Sequence, residues 1–380
     1  MKKILIFVDW FEPGYKAGGI IQSCKNFVKA FQNDFQLYII TSDRDLGDLT
    51  SYKGIETDQW HPYDQNSQIY YATERQLNFS GIKKIITSVN PHYIYLNSMY
   101  SLKFTILPLF LKRFTKINAS VIISPRGMLH QGAMQFKSFK KNTFIKFIKI
   151  LNIHRLVVFH ATDEKEKDYI NHYFPSAKQV FVADDLGDTS EVKRSFITKP
   201  VKSLKLIFLS RIAPNKNLLY LLKLLIDLRT DSHITLDIVG PIEDQIYWEE
   251  CKTAINSLAQ KIPVEYLGPV KNDVIYETYS NYHIFILPTM GESFGHVIFE
   301  ALLTGLPVII SDQTPWKDLV KLKIGYDIPL SEPILYQDAI KKFADMDNEE
   351  YKGWSVAAWN YAKNYQAQTG LKDSYKRIFN

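Results

Sequence analysis

The chain has 380 residues, of which 46% are hydrophobic and 23% charged, proportions that exclude a disordered or fibrous protein. At roughly 150 residues per domain, its length predicts two domains, each large enough for its own core. The net charge is +6. The two cysteines lie far apart, and neither has the spacing of a metal ligand. This argues against a disulfide framework or a cysteine zinc site and favours a reducing cytosol.

The chain begins with two lysines and the apolar run Ile4 to Val8, as a signal peptide would. Asp9, Glu12 and the lack of a small-residue cleavage site favour a buried first strand instead. No stretch approaches the ~18 uninterrupted apolar residues that a membrane span needs.

Short apolar runs then alternate with longer helical patterns, which predicts parallel sheets with crossover helices. The strands predicted in the first half are Lys3–Asp9, Gln36–Thr41, Ser67–Tyr71, Tyr93–Asn97, Ser120–Ser124, Leu156–Phe159 and Gln179–Ala183. The helices predicted between them include Ile20–Phe31, Leu102–Phe114 and Phe136–Leu151.

Apolar periodicity lapses from Asp184 to Lys202, which predicts a linker. The strands predicted after it are Leu204–Ser210, Ile234–Val239, Val264–Leu267, Ile284–Pro288 and Pro307–Ser311, with helices from about Asn217, Asp244, Asp273 and Phe294. We therefore predict an α/β protein with two Rossmann-like, doubly wound parallel-sheet domains that face each other across a ligand-binding cleft. The predicted bounds are 1–185 for the first domain, 203–360 for the second domain and 361–380 for a C-terminal helix.

Charge is unevenly distributed along the chain. Residues 75–162 contain 14 Lys or Arg and no Asp or Glu, whereas the rest of the chain has more acidic than basic residues. Such asymmetry predicts an anionic partner, either a membrane surface, a phosphorylated lipid or nucleic acid.

Two loops that follow predicted strands have residues suited to phosphate. Gly14 to Gly19 lies between the first strand and a helix, where backbone N–H groups can approach a phosphate. Arg211 and Lys216 lie on the loop after the first strand of the second domain, and a guanidinium with an ammonium is a pair that neutralises a diphosphate. An ordinary tight turn and a solvated loop are the respective alternatives.

A third candidate runs from Pro288 to His296 and continues to Glu300 in the following helix. The order strand, glycine turn and helix N-terminus is typical of an anion site. A carboxylate within the apolar run around Glu300 is costly to bury unless it meets donors such as sugar or ribose hydroxyls. The G-x-S-x-G spelling at Gly291–Gly295 does not indicate a hydrolase, because the only later histidine, His296, belongs to the same helix turn.

The remaining polar motifs are weaker. We interpret the two D-x-D pairs, Asp43/Asp45 and Asp345/Asp347, as solvated turns, since no third metal ligand is evident. His130 lies in a glycine-rich loop after the Ser120–Ser124 strand. Two interpretations stay open for it: an ordinary surface histidine and a functional residue.

With these motifs in place, the chain resembles retaining glycosyltransferases of family 4, of the bacterial surface-polysaccharide type, which have the GT-B fold. The family's E-x7-E motif corresponds to Glu292 and Glu300, and its R-x4-K motif to Arg211 and Lys216. The resemblance covers nearly the whole chain, since it includes the N-terminal glycine pair, Thr41–Asp45, Ser124–Leu129, His160–Glu164 and Tyr266–Val270.

The resemblance implies that 1–185 is the acceptor-side domain, that 203–360 is the nucleotide-sugar-binding domain, and that the 361–380 helix crosses back to the first domain. It also implies a role for each matching residue. Arg211 and Lys216 neutralise the donor diphosphate, Glu300 binds the ribose hydroxyls and Glu292 contacts the transferred sugar, so Arg211, Lys216 and Glu292 are the implied catalytic set. The other implied donor-binding residues are Gly18, Gly19, Gly240, Gly268, Pro269, Val270, Ser293, Phe294, Gly295 and His296. Many members have a histidine where this chain reads Pro125-Arg126-Gly127, so either Arg126 or His130 takes that acceptor-side role.

The function implied is metal-independent transfer of a sugar, with retention, from a nucleotide sugar to a hydroxyl of a glycan or lipid-linked acceptor in polysaccharide, lipopolysaccharide or capsule biosynthesis. A UDP-sugar is favoured over a GDP-sugar as co-substrate, and no cofactor is expected. The alternatives are a nucleotide-sugar hydrolase or epimerase of GT-B type and a non-catalytic membrane-associated scaffold.

The location implied is cytoplasmic, with the inner face of the plasma membrane as a docking surface. Residues 135–155 interleave lysines with aromatic and aliphatic residues, which predicts either a helix packed on its sheet or one that docks on anionic lipid. No recognised nucleic-acid module accompanies this basic run, so nucleic acid is not expected as a partner.

Overall fold

The computed structural model describes residues 1–130, 134, 138–194, 196–368 and 370–380, with only the backbone of residues 138, 140 and 272. Two compact units are present, the first formed by Met1–Leu186 with Thr369–Asn380 and the second by Gly187–Gln368. Each unit is built around its own, mainly parallel sheet. The predicted fold class, α/β with two doubly wound parallel-sheet domains, is confirmed.

The first unit has eight strands: β1 (Lys3–Phe7), β2 (Gln36–Ser42), β3 (Trp60–Asp64), β4 (Ser67–Ala72), β5 (Tyr93–Leu96), β6 (Ser120–Ile123), β7 (Val157–Ala161) and β8 (Gln179–Val182). They lie in the order β3-β4-β2-β1-β5-β6-β7-β8, and every neighbouring pair except β3–β4 is parallel. The carboxyl ends of β4, β2, β1 and β5 therefore lie side by side at one edge of the sheet.

The helices of the first unit are α1 (Gly19–Phe31), α2 (Phe79–Val89), α3 (Leu107–Phe114), α4 (Ser138–Ile150), α5 (Glu164–Tyr173) and α12 (Gly370–Ile378). The C-terminal α12 packs on α1, since the Tyr375 ring lies 5.7 Å from both Phe27 and Phe31. Predicted residues 136 and 137 of the fourth helix lie outside the described residues. The predicted helix at Leu102 begins instead with a π-helical turn, Leu102–Ile106, in which the Ile106 N–H donates to the Ser101 carbonyl at 2.8 Å.

The second unit has six strands, β9 (Ser203–Leu209), β10 (His233–Val239), β11 (Val264–Gly268), β12 (Ile284–Leu287), β13 (Val308–Ser311) and β14 (Gly325–Ile328), in the order β11-β10-β9-β12-β13-β14. Its helices are α6 (Leu218–Asp227), α7 (Gln245–Leu258), α8 (Ile275–Tyr279), α9 (His296–Thr304), α10 (Pro333–Asp345) and α11 (Asn348–Gln366). All five strand pairs are parallel.

The sequence patterns miss two strands, β3 and β14, and both lie at sheet edges. β3 contains Pro62, which lacks the N–H that an interior strand needs, and β14 is a four-residue strand with Gly325 and Asp327. An edge strand needs only one partner and one buried face, so its sequence has no continuous apolar run.

Buried apolar side chains cover both faces of the first sheet, in one cluster with α2, α3, α4 and α5 and in another with α1 and α12. The second unit has a single large cluster around its sheet and helices. Within the described residues, no helix is long and apolar enough to cross a membrane.

Candidate functional site

Two sequence-predicted residues of the second unit meet in an ion pair. Lys216 ends a short turn (Pro214–Lys216) after β9, and Glu292 lies on the loop after β12. The Lys216 Nζ atom lies 2.5 Å from the Glu292 Oε1 atom, and the two side chains are only 11% and 12% exposed. The fold thus brings together an ammonium and a carboxylate that are 76 residues apart in sequence.

Backbone hydrogen bonds hold these two loops against each other. The Met290 N–H donates to the Asn215 carbonyl at 2.8 Å, and the Thr289 hydroxyl donates to the same oxygen at 3.1 Å. The Glu292 N–H donates to the Gln313 carbonyl at 3.0 Å. Sequence reasoning missed Asn215 and Gln313, because a carbonyl contact requires no particular side chain.

Arg211 does not join this pair. Its Nη1 atom instead forms an ion pair with Glu243, and both side chains are partly exposed. Glu243 was not predicted, and its only sequence signal is that it follows the next strand of the same sheet, β10.

Gly240 and Gly268 lie beside Arg211 at the same sheet edge. The Gly240 N–H donates to the Gly268 carbonyl at 2.9 Å, and the Tyr266 hydroxyl donates to the Gly240 carbonyl at 2.9 Å. Of the two residues that follow Gly268, Pro269 is exposed and Val270 is half-buried. The predicted donor-binding residues Gly240, Gly268, Pro269 and Val270 therefore lie at the adjacent ends of β10 and β11 and in the turn after β11.

Helix α9 begins directly after Gly295, in the segment that follows β12. Ser293 is half-buried, whereas Phe294, Gly295 and His296 are buried. The Phe294 carbonyl accepts a hydrogen bond from the Trp316 indole N–H at 2.5 Å, and the two rings lie 5.1 Å apart. Trp316 thus anchors the segment that presents the helix N-terminus.

Glu300 lies in the second turn of α9 and is 2% exposed. Burial raises the pKa of Tyr276 and of Tyr279, and the negative charge of Glu300 raises both further. The Tyr276 hydroxyl donates to Asp188 Oδ2 at 2.5 Å. The Glu300 carboxylate is therefore buried, as predicted, and the hydroxyl-bearing Tyr276 and Tyr279 of α8 lie near it.

In the first unit, Gly18 has a φ of 63° and immediately precedes α1, which begins at Gly19. The loop before it is fixed by Asp45, whose Oδ2 atom accepts the N–H groups of Tyr15 at 2.8 Å and Lys16 at 3.1 Å. The carboxylate of one loop therefore sets the conformation of the glycine loop.

The interpretation of Asp43 and Asp45 as a solvated turn is wrong, because they are only 2% and 4% exposed. Asp43 forms an ion pair with Arg44, with the Arg44 Nε atom 2.8 Å from Oδ1. The two aspartates can be buried because their carboxylates accept hydrogen bonds from loop N–H groups and from the Arg44 guanidinium. In the part of the chain that the structure describes, no group of three or more His, Cys, Asp or Glu could hold a metal ion.

The two acceptor-side candidates have different environments. The Arg126 side chain is 6% exposed, forms an ion pair with Asp185 and donates from Nη2 to the Tyr95 hydroxyl and to Asn97 Oδ1, both at 3.0 Å. His130 is half-buried, with its ring 5.1 Å from that of Tyr169. Among the described residues its Nε2 atom has no hydrogen-bond partner, and residues 131–133 of its loop lie outside that set.

One histidine of each unit, His160 in the first and His283 in the second, is almost completely buried in a neutral form. In the first unit, His160 Nε2 lies 2.8 Å from the Ala183 carbonyl, so it donates, and Nδ1 accepts from the Tyr95 hydroxyl at 2.7 Å. Burial, aided by the charge of Arg126, lowers the pKa of His160 to about 3. In the second unit, burial lowers the pKa of His283 to about 4.

We expect both units to lose stability as the pH falls below about 6.5, the pKa of a histidine in the unfolded chain. Between that value and the folded-state pKa, the unfolded chain binds the extra proton, so each buried histidine costs about 2–3 kcal/mol at pH 4.5. Urea denaturation from pH 4.5 to 7.5 measures this slope. His160→Gln and His283→Gln should reduce it, whereas the same change at the exposed His233 should not; an equal slope in all three variants would contradict the assignment.

The sequence of this chain is similar to those of known glycosyltransferases. Residues 189–359 match the family described as Glycosyl transferases group 1. The matched residues lie within the second unit. Over 339 residues the chain is 20% identical to an uncharacterized glycosyltransferase of Methanocaldococcus jannaschii. This alignment covers 84% of the present chain and 83% of the M. jannaschii protein.

Solved structures share the fold. Sucrose-phosphate synthase of Thermosynechococcus elongatus has a TM-score of 0.72 at 14% identity, and Anabaena HepE in complex with UDP and glucose has 0.72 at 15%; both alignments cover 100% of this chain and 99% of the other. An α,α-trehalose-phosphate synthase (UDP-forming) of Burkholderia xenovorans, in complex with glucose-6-phosphate, has 0.71 at 8% identity with 100% of both chains covered. The fold is therefore that of GT-B glycosyltransferases. Together with the family match over residues 189–359, it supports the interpretation of this chain as a glycosyltransferase.

Proposed function

We propose that this protein is a retaining glycosyltransferase of family 4 that transfers a sugar from a nucleotide sugar, preferably a UDP-sugar, to a hydroxyl of a glycan or lipid-linked acceptor in polysaccharide biosynthesis. The observation that carries the proposal is the Lys216–Glu292 pair, which lies at the strand ends of a glycosyltransferase group 1 domain. A largely buried ammonium beside a carboxylate can bind a phosphate and a sugar hydroxyl in adjacent positions.

In the proposed reaction the bond between the anomeric carbon and the phosphate oxygen breaks, and a bond to the acceptor oxygen forms. Negative charge develops on the departing diphosphate, and Lys216, Arg211 and the N-terminus of α9 are the groups that stabilise it. The leaving phosphate oxygen takes the acceptor's proton, so the reaction needs no separate base and no metal. Glu292 orients the transferred sugar, and Glu300 binds the ribose hydroxyls.

A thermal-shift screen with UDP, GDP and ADP tests the donor. At 100 times its Kd, a bound nucleotide stabilises the folded state by about 2.7 kcal/mol, enough for a clear rise in Tm. We expect UDP to give the largest rise, and no rise with any of the three would contradict the proposed donor site.

Turnover of the matching sugar nucleotide, with EDTA present, tests the reaction. A transferase consumes the donor at a useful rate only with an acceptor present, whereas a hydrolase or epimerase consumes or converts it without one, and a scaffold does neither. The anomeric proton coupling of the product by NMR reports whether the configuration is retained.

The proposed site of action is an anionic membrane surface, and the observation that favours it is an exposed apolar patch on α4. Ile145 and Ile148 face the core, whereas Phe139 is 82% exposed and Ile150 75% exposed. At 100° per residue, Phe139, Lys146 and Ile150 lie within about 40° of one another around the helix axis. We name these three residues, with the neighbouring exposed Lys149, the α4 patch. Residues 135–137 of the predicted docking segment lie outside the described residues.

We expect the protein to co-sediment with vesicles that contain phosphatidylserine, less so as salt rises, and little with neutral vesicles. Each lysine near an anionic surface contributes about 1 kcal/mol, so Lys146→Glu with Lys149→Glu should weaken partitioning by at least about 30-fold. The double variant Lys321→Glu and Lys323→Glu makes the same charge change on exposed residues of the second unit and should bind nearly as the parent does. Equal recovery of the two double variants, or of neutral and anionic vesicles, would contradict the docking proposal.

A further inference from the structure

A pocket of about 350 Å³ opens at the carboxyl edge of the first sheet. Its walls come from the loops that follow four adjacent strands, with Asp9 after β1, Arg44 after β2, Glu74 after β4, and Ser101 and Lys103 after β5. Ligands of open α/β sheets bind outside the carboxyl ends of the strands, and small-molecule pockets occupy about 300–1,000 Å³. The volume lies at the small end of that range, which suits a ligand the size of a monosaccharide.

The Asp9 carboxylate is one of the polar groups that line the pocket. Its Oδ1 atom accepts a hydrogen bond from the Ser101 hydroxyl at 2.6 Å, and the Ser101 oxygen in turn accepts from the Phe104 N–H at 3.2 Å. No other described side chain donates to the Asp9 carboxylate. Burial raises its pKa, so an additional hydroxyl donor at Oδ2 would compensate for lost hydration.

Trp10 contributes an aromatic surface to the lining of the pocket. The indole lines the pocket together with Phe104 and is half-buried. It makes no hydrogen bond to another described residue. An indole that combines an apolar face with an N–H donor suits a sugar ring, whose C–H face and hydroxyl edge match both features.

The cations of the pocket are already paired. Lys103 forms an ion pair with Glu74, and Arg44 binds Asp43 through Nε at 2.8 Å and Nη2 at 3.2 Å. A phosphate or carboxylate on the ligand would have to displace these carboxylates while facing Asp9, which like-charge repulsion disfavours. The charge pattern therefore disfavours a phosphorylated sugar and favours a neutral one.

We infer that this pocket is a subsite for an uncharged sugar ring, in which the Asp9 carboxylate accepts hydrogen bonds from sugar hydroxyls and the Trp10 indole packs against the ring. The inference rests on the proposed transferase function, for which the occupant would be the terminal sugar of the acceptor. It also reassigns recognition on this unit from Arg126, whose guanidinium is enclosed by protein partners, to the loops after β1 and β5.

The test uses saturation-transfer-difference NMR on the full-length protein, with the methyl α-glycosides of glucose, galactose and mannose as neutral probes and glucose 6-phosphate as the charged one. We expect at least one neutral probe to bind. Asp9→Asn keeps the size of the side chain but removes its charge, and it should raise the Kd of that probe about tenfold, the effect of weakening one hydrogen bond to a charged group. Trp10→Ala should abolish the signal.

Asp64→Asn makes the same chemical change on the exposed edge strand β3 and should leave the Kd unchanged. Glucose 6-phosphate should bind more weakly than the neutral probes. The inference is overturned if no neutral probe binds, if binding is insensitive to Asp9→Asn and Trp10→Ala, or if the phosphorylated sugar binds more tightly. UDP-induced thermal shifts of the same variants show that they are folded, and they separate failure of this inference from failure of the proposed function, which loss of UDP binding by the parent would signal.

Discussion

Replacing Lys216 by alanine is expected to lower kcat by about 100- to 1,000-fold, the effect of removing one preorganised group that stabilises developing charge. The physical reason is the position of the ammonium, which is about nine-tenths buried and lies between two hydrogen-bonded loops, so it is preorganised before charge develops. The measurement is steady-state kcat with the sugar nucleotide identified in the thermal-shift screen. Arg211→Ala is predicted to have an effect of the same order, about 3 kcal/mol of barrier.

Two comparisons separate a catalytic loss from a structural one. Lys216→Arg keeps the positive charge and should recover part of the lost rate. Lys202→Ala removes an exposed ion-paired lysine of the same unit, 46% exposed, and should keep kcat within a few-fold. Activity of Lys216→Ala within a few-fold of the parent would rule out the proposed role of the ammonium.

The second large effect is expected from Gly240→Ala, which should lower the free energy of unfolding of the second unit by about 3 kcal/mol or more. Gly240 has a φ of 141°, and an added Cβ would overlap the carbonyl oxygen of Ser210. Relief requires β10 to move away from the loop after β9, which also carries Arg211. Urea denaturation followed by circular dichroism measures the change.

Gly268→Ala is the matched control for this substitution. Gly268 also has a positive φ, 75°, but a Cβ there would meet no atom within 4 Å. Its cost is limited to backbone strain, about 1–2 kcal/mol. Similar losses in the two variants would show that strain alone, and not close packing against Ser210, makes Gly240 necessary.

The alternation of apolar runs and helical patterns along the sequence is sufficient to predict two parallel-sheet units. The reason is that the central strands of a parallel sheet are buried on both faces and leave short continuous apolar runs, such as Ile4–Val8 and Ile284–Leu287. The sequence also indicates the chemistry of the second unit, because Arg211, Lys216, Glu292 and Glu300 are charged residues that follow such runs. Their roles in a donor site remain predictions.

Only the tertiary structure decides which of these charges meet. The sequence places Arg211 and Lys216 together on one loop, whereas the fold pairs Lys216 with Glu292 and Arg211 with Glu243, because partners from different strands are set by sheet order and not by spacing along the chain. Burial is equally hidden in the sequence: Asp43 and Asp45 have the composition of a solvated turn, yet the loop folds over them and supplies donors. The Asp9–Trp10 pocket is the clearest case, since its walls come from four loops that become neighbours only when β4, β2, β1 and β5 align. Local sequence determines where a strand ends, but the free energy of packing whole strands and helices determines which strand ends lie together.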